Sequence, residues 1–516
     1  MSLSSSILSQ TSKKEIIMKN IFAKIILLLL ALSMLFGFAA CKKDDGKKTP
    51  TDTQPPEEET DPYQKDSIPD NINYGEEEVV ILYDELRPEE FDPEGASFVE
   101  EAVMSRNTKV EQRLNVTLNF TPTTGGYINT GLSPFKATVE NDVVGGLNTF
   151  DICADYGMTI GSCAVSGLCV NLTDYDIIDF DAPWWASDLS TSATINNKLY
   201  FGVGDISTSY LSNMYCMFFN EDLVNDLTLQ SPYDMVEMDN WKWEFFMQYC
   251  NEIYADLDNV EGKSVGDRYG LTMTHVTGES VFYSGGCQML ELDTDGNLIL
   301  SETMSNSRAS NFYSLTTSFF NDSNNVYVNE KDDDNDGVVN WKDNFLDGNS
   351  VFTISQLSFA KAIIDSGSGM KFGVLPLPKY DDNQNYRSAC WVGRTLYFIS
   401  SGSPVAEMAA TTFECLASEG YRQVTPVLYE DTYKLRYSKD ETSGQMIDLI
   451  RASIVFDLAQ VYTYSFEDQI PTRMTRALTF GTISGYATEM QNISTAMATY
   501  KSGMQQVVQT IYNSYQ

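Results

Sequence analysis

The side chains best spaced for chemistry in this sequence are acidic. The string DDDNDGVVNWKD, residues 332–343, sets Asp332, Asp334 and Asp336 at alternate positions before Gly337, the spacing of a twelve-residue calcium loop. Ca²⁺ takes roughly six to eight oxygens. The three carboxylates, the Val338 carbonyl, Asn340 and Asp343 are the donors expected for one structural ion. A second acidic string, ELDTDGNLILSE from Glu291, opens with Glu and alternates apolar residues around DTDGN, which predicts a hairpin turn instead.

Neutral-pH acid–base and zinc chemistry draw on imidazole, and the chain has a single histidine, His275. It lies between Thr274 and Val276 with no nucleophile-elbow motif nearby, so a structural role is expected. Asp155 and Asp205 are the carboxylate pair that a glycoside hydrolase would need across a cleft. With 72 acidic residues some such pair arises by chance, and no catalytic motif accompanies it; no enzymatic activity is expected. The 34 basic residues leave a net charge of −38, which excludes a nucleic-acid binder. A hydrophobic fraction of 42% excludes an acidic disordered polymer.

Chemistry of this kind needs elements to hold it, and these do not begin at the first residue. Lys19 and Lys24 precede an apolar run from Ile25 to Ala40, too short to span a bilayer comfortably, so residues 1–41 read as a signal peptide. The run ends in Phe38, Ala39, Ala40 and Cys41, which resembles the lipobox of bacterial lipoproteins; Cys41 would carry the lipid. Residues 42–78, with KKDDGKK and TPTDTQPPEEET, are expected to be a flexible acidic linker. The product is then a protein lipid-anchored at the outer face of the cytoplasmic membrane. The eight remaining cysteines form no CxxC pair and are expected as buried thiols.

From Glu78 the pattern turns to a strand over Val79, Val80, Ile81 and Leu82, then to a helix with Val103, Val110 and Leu114 on one face. A second strand is expected at residues 150–154. The alternation of strand and helix signals predicts an α/β layer fold. Trp184, Trp185, Trp241 and Trp243 are expected to pack in the core. Near the carboxyl end, Met490, Ile493, Met497, Tyr500, Met504, Val507 and Ile511 predict a long amphipathic helix.

The stretches FDICADYGMTIGSCAVSGLCVNLTDY, APWWASDLS, KLYFGVGDISTSYLSNMYCMFFNEDLV, SPYDMVEMDNWKWEFF, DRYGLT and FGVLPLPKYDD resemble the extracellular solute-binding proteins of family 1, lipoprotein receptors of carbohydrate ABC importers. The resemblance runs from about Val79 to the end. It implies a periplasmic-binding-protein-like clamshell with discontinuous α/β lobes and a cleft between them. Lobe 1 would be residues 79–204 plus 391–427, and lobe 2 residues 215–390 plus 434–516, with hinges near 205–214, 389–392 and 428–433. It also implies an ABC permease as partner and a monomeric receptor.

A carbohydrate cleft needs aromatic plates and directional polar groups. Asp155 and Tyr156 follow the second strand, on the side of an open sheet where ligands lie. The resemblance makes Tyr156 the stacking position. Asp205 and Tyr210 at the first crossing, Trp391 at the second, and Gln288 after two glycines complete the expected contacts. The resemblance thus implies an oligosaccharide receptor working by lobe closure. A receptor for a peptide or other polar solute, and a surface glycan-degrading enzyme, are the rivals.

Overall fold

The structure, a computed structural model, describes residues 64–128, 131–321, 323–329, 341–429, 441–465, 471–472, 474–476, 505 and 508–516. Cys41, Asp332, Asp334, Asp336, Val338, Asn340 and most of the amphipathic segment at 490–511 lie outside them.

In chain order the elements that position the site are β1 (Glu77–Asp84), α1 (Phe98–Leu114), β2 (Val116–Thr123), β3 (Ile152–Tyr156), α2 (Gly157–Val165), α3 (Thr208–Ser212) and β4 (Tyr215–Asn220). They continue with β5 (Tyr269–Thr274), α4 (Gly278–Ser284), β6 (Val326–Asn329), β7 (Ser350–Gln356), α5 (Phe359–Asp365), β8 (Phe372–Leu375), β9 (Thr395–Ile399), α6 (Ala406–Glu419) and α7 (Glu441–Ala452). The first sheet has the order β9-β3-β1-β2, with β1 parallel to β2 and β3, and β9 antiparallel to β3. The second has the order β6-β5-β7-β4-β8, with β5 parallel to β6 and β7, and β4 antiparallel to β7 and β8. Each sheet carries helices against it, so the fold is an α/β, two-lobe one.

Local chemistry explains the boundaries. Ser97 caps α1 by accepting the Glu100 N–H at 3.2 Å, Val103, Val110 and Leu114 are fully buried, and Asn115 ends the helix in the left-handed region at φ 52°. Asp151 accepts the Val80 N–H and the Ser403 hydroxyl just before β3, which runs over 152–156, two residues beyond the expected 150–154, so that Tyr156 is its last residue. The DTDGN turn joins an antiparallel hairpin, Leu290–Leu292 with Leu298–Leu300, as the alternation predicts. The eight described cysteines are buried thiols.

Trp184 and Trp185 both donate their indole N–H to Glu414, at 2.9 and 2.8 Å. Trp241 and Trp243 are fully buried in the core. No described helix is long and apolar enough to cross a membrane.

The linker and lobe limits differ from expectation in two places. The linker was expected to run to residue 78, but Asp66 and Ile68 are buried against the first lobe, Asp66 between Arg113 and Arg422. An acidic composition predicts solvation, and paired arginines from distant helices override it. Residues 434–516 were expected wholly in the second lobe, yet their end packs on the first. Tyr515 meets the Tyr200 ring at 4.6 Å, Lys198 donates to the Gln516 carbonyl, and Gly161 of α2 lies against the Val461 carbonyl.

Candidate ligand-binding site

In an open α/β sheet ligands lie beyond the carboxyl ends of the strands. Here the ends of β1, β2 and β3 deliver Asp84 with Leu86 and Arg87, Gly126 with Tyr127, and Tyr156 to one wall of a cleft of about 640 Å³. Thr208, Ser209, Ser212, Asn213 and Trp391 also line it. Ser358 and Lys361, at the start of α5, face it from the second lobe. The volume lies within the range of small-ligand sites.

The aromatic residues are placed by packing. Tyr156 meets Trp391 edge to face, with ring centroids 6.2 Å apart, and both pack with Met158 and Val392. Burial, above all, drives the Tyr156 phenol well above its ordinary value, so it stays a neutral hydroxyl. Tyr127 is 56% exposed and approaches Tyr464 at 6.3 Å.

Arg87 couples this wall to the crossing. It lies 3.3 Å from Glu90 Oε1 and 4.0 Å from Asp84 Oδ2, and donates to the Gly393 carbonyl. Glu90, buried, also accepts the Thr395 and Ser207 hydroxyls at 2.9 and 3.2 Å.

Of the expected contacts, Tyr156 and Trp391 come together in this cleft. Asp205 and Tyr210 line a different cavity of about 420 Å³, with Trp185, Asp448, Arg451 and Phe456. The cleft takes Thr208, Ser209 and Ser212 of α3 and this cavity takes Tyr210, so different sides of one short helix serve the two. Asp205 is buried, 3.1 Å from Arg451 and 2.7 Å from the Thr425 hydroxyl; the expected ligand contact is a structural ion pair.

Asp155 departs from expectation as well. It is fully buried, because neighbouring residues of a strand point to opposite faces, and it accepts the Gly126 N–H at 2.7 Å. Gln288 accepts from Arg387 and donates to the Leu290 carbonyl, and it lines neither cavity.

Arg87, Tyr127, Asn213 and Lys361 were not anticipated. The first two obey the rule that found Tyr156: DELR follows β1 and TGGY follows β2, at the ends of parallel strands.

Asp343 sits in the first turn of the helix Trp341–Leu346, just after the undescribed part of the calcium-type string. Among the described residues, carboxylates of Asp256, Asp258 and Asp267 lie within 4.8 Å of one another. Asp267 is already engaged, accepting from Tyr254, Leu257 and Ser264.

No known family model and no curated protein matches the chain. Solved structures do. A cyclo/maltodextrin-binding protein complexed with maltotetraose superposes with a TM-score of 0.55 at 14% identity, covering 87% of this chain and 99% of that one. The chain shares that protein's fold. A sugar transporter from Rhizobium etli in an open conformation gives 0.55 at 12% identity, over 83% and 99% of the two chains. UspC from M. tuberculosis gives 0.51 at 14% identity, over 83% and 98%.

Proposed function

We propose that this protein is a surface receptor that captures an oligosaccharide between its lobes and delivers it to an ABC permease. The observation that carries the reading is the cleft itself, where Tyr127, Tyr156 and Trp391 offer rings beside Asp84, Arg87, Asn213 and Lys361 at the carboxyl ends of parallel strands. Rings suit the CH faces of sugars, and the polar groups suit their hydroxyl edges. The likeness in fold to a maltodextrin-binding protein supports the same reading. A ligand touching both walls binds the shut form better than the open one and shifts the population towards it.

Cys41 would hold the receptor at the membrane, and residues 332–343 would bind one Ca²⁺ that braces the second lobe. Both rest on sequence motifs. The role is binding without turnover.

The test is a thermal-shift screen of the chain from residue 42 against soluble oligosaccharides, with product analysis of each mixture. Selective binding raises the midpoint by mass action. A rise with one glycan class and no product is expected. Shortened glycan would replace the reading with an enzyme, and no rise with any glycan, against a rise with peptides, would replace the ligand class.

A further inference from the structure

The Gly125–Gly126 turn passes between two buried carboxylates. Asp84 is 1% exposed and Asp155 fully buried. A Cβ added at Gly125 would lie 2.5 Å from Asp84 Cβ and 2.7 Å from Asp155 Oδ1, so only glycine fits there. Gly126, at φ +69°, donates its N–H to Asp155 Oδ1, and a Cβ on it would meet Asp84 Oδ2 at 3.0 Å. The other Asp155 oxygen, Oδ2, is buried, with the Thr159 side chain of α2 beside it. The next residue after the turn is Tyr127, the cleft aromatic that approaches Tyr464.

We propose that Asp84, Asp155 and the two glycines form one positioning unit that aims Tyr127 into the cleft, with Asp155 holding a single proton for the carboxylate pair. The importance of Tyr127 rests on the sugar-receptor reading; the proton-holding turn does not.

Two carboxylates buried around one turn cannot both ionise cheaply. Burial raises the Asp84 carboxyl as well, but Asp84 accepts the Leu86 N–H at 3.0 Å and faces Arg87, so it is the better site for the charge. Among the described residues no cation acts on Asp155. Asp84 approaches it from β1 and Thr159 and Cys163 from α2, and its register partner on β9 is Leu396. Burial first, with the Asp84 charge adding to it, lifts the Asp155 carboxyl to about 7 against the hydrogen bond from Gly126. The Cys163 thiol is itself pushed up by burial and stays neutral. When Asp155 loses its proton, the turn lies between two anions and is driven open to water.

Hydrogen exchange of the amides of residues 124–128 in the ligand-free protein tests this, comparing the natural chain with Asp155→Asn from about pH 6 to about pH 8.5. Asparagine keeps the acceptor for Gly126 but cannot ionise. Intrinsic exchange of this peptide is the same in both proteins at each pH, so the ratio of rates isolates the proton. A ratio near one at the acid end is expected, rising up to about tenfold per pH unit above the Asp155 midpoint. A ratio independent of pH would overturn the proton assignment. Asp155→Ala should speed exchange at every pH; unchanged exchange there would overturn the positioning role. Should the alanine variant not fold, the asparagine comparison decides alone. No sugar enters the experiment, so failure of the receptor reading leaves its outcome intact.

Discussion

Arg113 grips Asp66 with both ends of its guanidinium, Nη1 reaching Oδ2 at 2.6 Å and Nη2 reaching Oδ1. Arg422 reaches the same carboxylate at 3.0 Å and Ser418 at 2.8 Å. The pair fastens the segment before β1 to α1 and to the helical region following α6.

Asp66→Ala should lower stability by about 1–3 kcal/mol, because two arginines lose their shared acceptor. Burial works to raise the Asp66 carboxyl, but the Arg113, Ser418 and Arg422 hydrogen bonds outweigh it and hold it at about 2. A lowered carboxyl stabilises the fold above its unfolded value of about 4 and loses that contribution as pH falls towards 2. Denaturation midpoints at neutral and acid pH check this: the gap between natural and variant chains should be present at neutral pH and close in acid. A chain cut at Val79 should melt below one that retains residues 64–78.

The cleft rings predict binding. Tyr127→Ala and Trp391→Ala should each weaken binding of the selected oligosaccharide at least tenfold, about 1.4 kcal/mol, with little change in melting for Tyr127, which is exposed. Titration calorimetry measures both. Undiminished affinity in both variants would move the ligand out of this cleft.

Much of this arrangement was legible in the sequence, and the failures have physical reasons. The strand-end rule found Tyr156, and the same rule applied at DELR and TGGY would have found Arg87 and Tyr127. Alternation along β3 would have separated Asp155 from Tyr156, since adjacent strand residues face opposite ways. Asp66 was not legible. Its partners lie 47 and 356 residues away, and local composition carries no trace of pairs at that range. The packing role of Trp184 and Trp185 was legible from their type, whereas their shared acceptor, Glu414, is some 230 residues distant.

Arg451 reaches across from α7 to Asp205, and its guanidinium lies over the Tyr429 ring at 4.9 Å. Arg451→Ala would strand a buried carboxylate and should cost about 3–5 kcal/mol. Adding Asp205→Asn should recover much of that loss, because the stranded charge disappears. Chemical denaturation of the two single variants and the double variant checks it; additive losses would show that the two side chains act separately.

The calcium motif predicts a saturable rise in melting temperature with Ca²⁺ that is absent after chelation. Asp334→Ala should abolish the rise, since each carboxylate in such a loop supplies one of few oxygens. A rise that survives in the variant would place the ion elsewhere, with Asp256 and Asp258 the next carboxylates to replace.

Glu414, Asp457 and Asp155 are among the buried acids whose carboxyls burial raises, as it also raises Asp84, Asp151, Asp205 and Glu279. Burial lifts the Glu414 carboxyl to about 8 even though Trp185 and Trp184 donate to it, and lifts Asp457 to about 6 and Asp155 to about 7. A carboxyl raised in the folded state binds a proton that the unfolded chain has released. Stability therefore falls as pH climbs from the unfolded value of about 4 through each folded value, and levels off above it. Asp66 acts in the opposite sense only in acid. The melting temperature should accordingly peak near about pH 4 to 5 and decline to about pH 8. Glu414→Gln keeps an acceptor for one indole and cannot ionise, so its curve should lose the part of the decline nearest pH 8. Differential scanning calorimetry of both proteins measures the two curves; a midpoint that climbs between about pH 5 and 8, or a glutamine variant whose curve parallels the natural one, would refute the assignment.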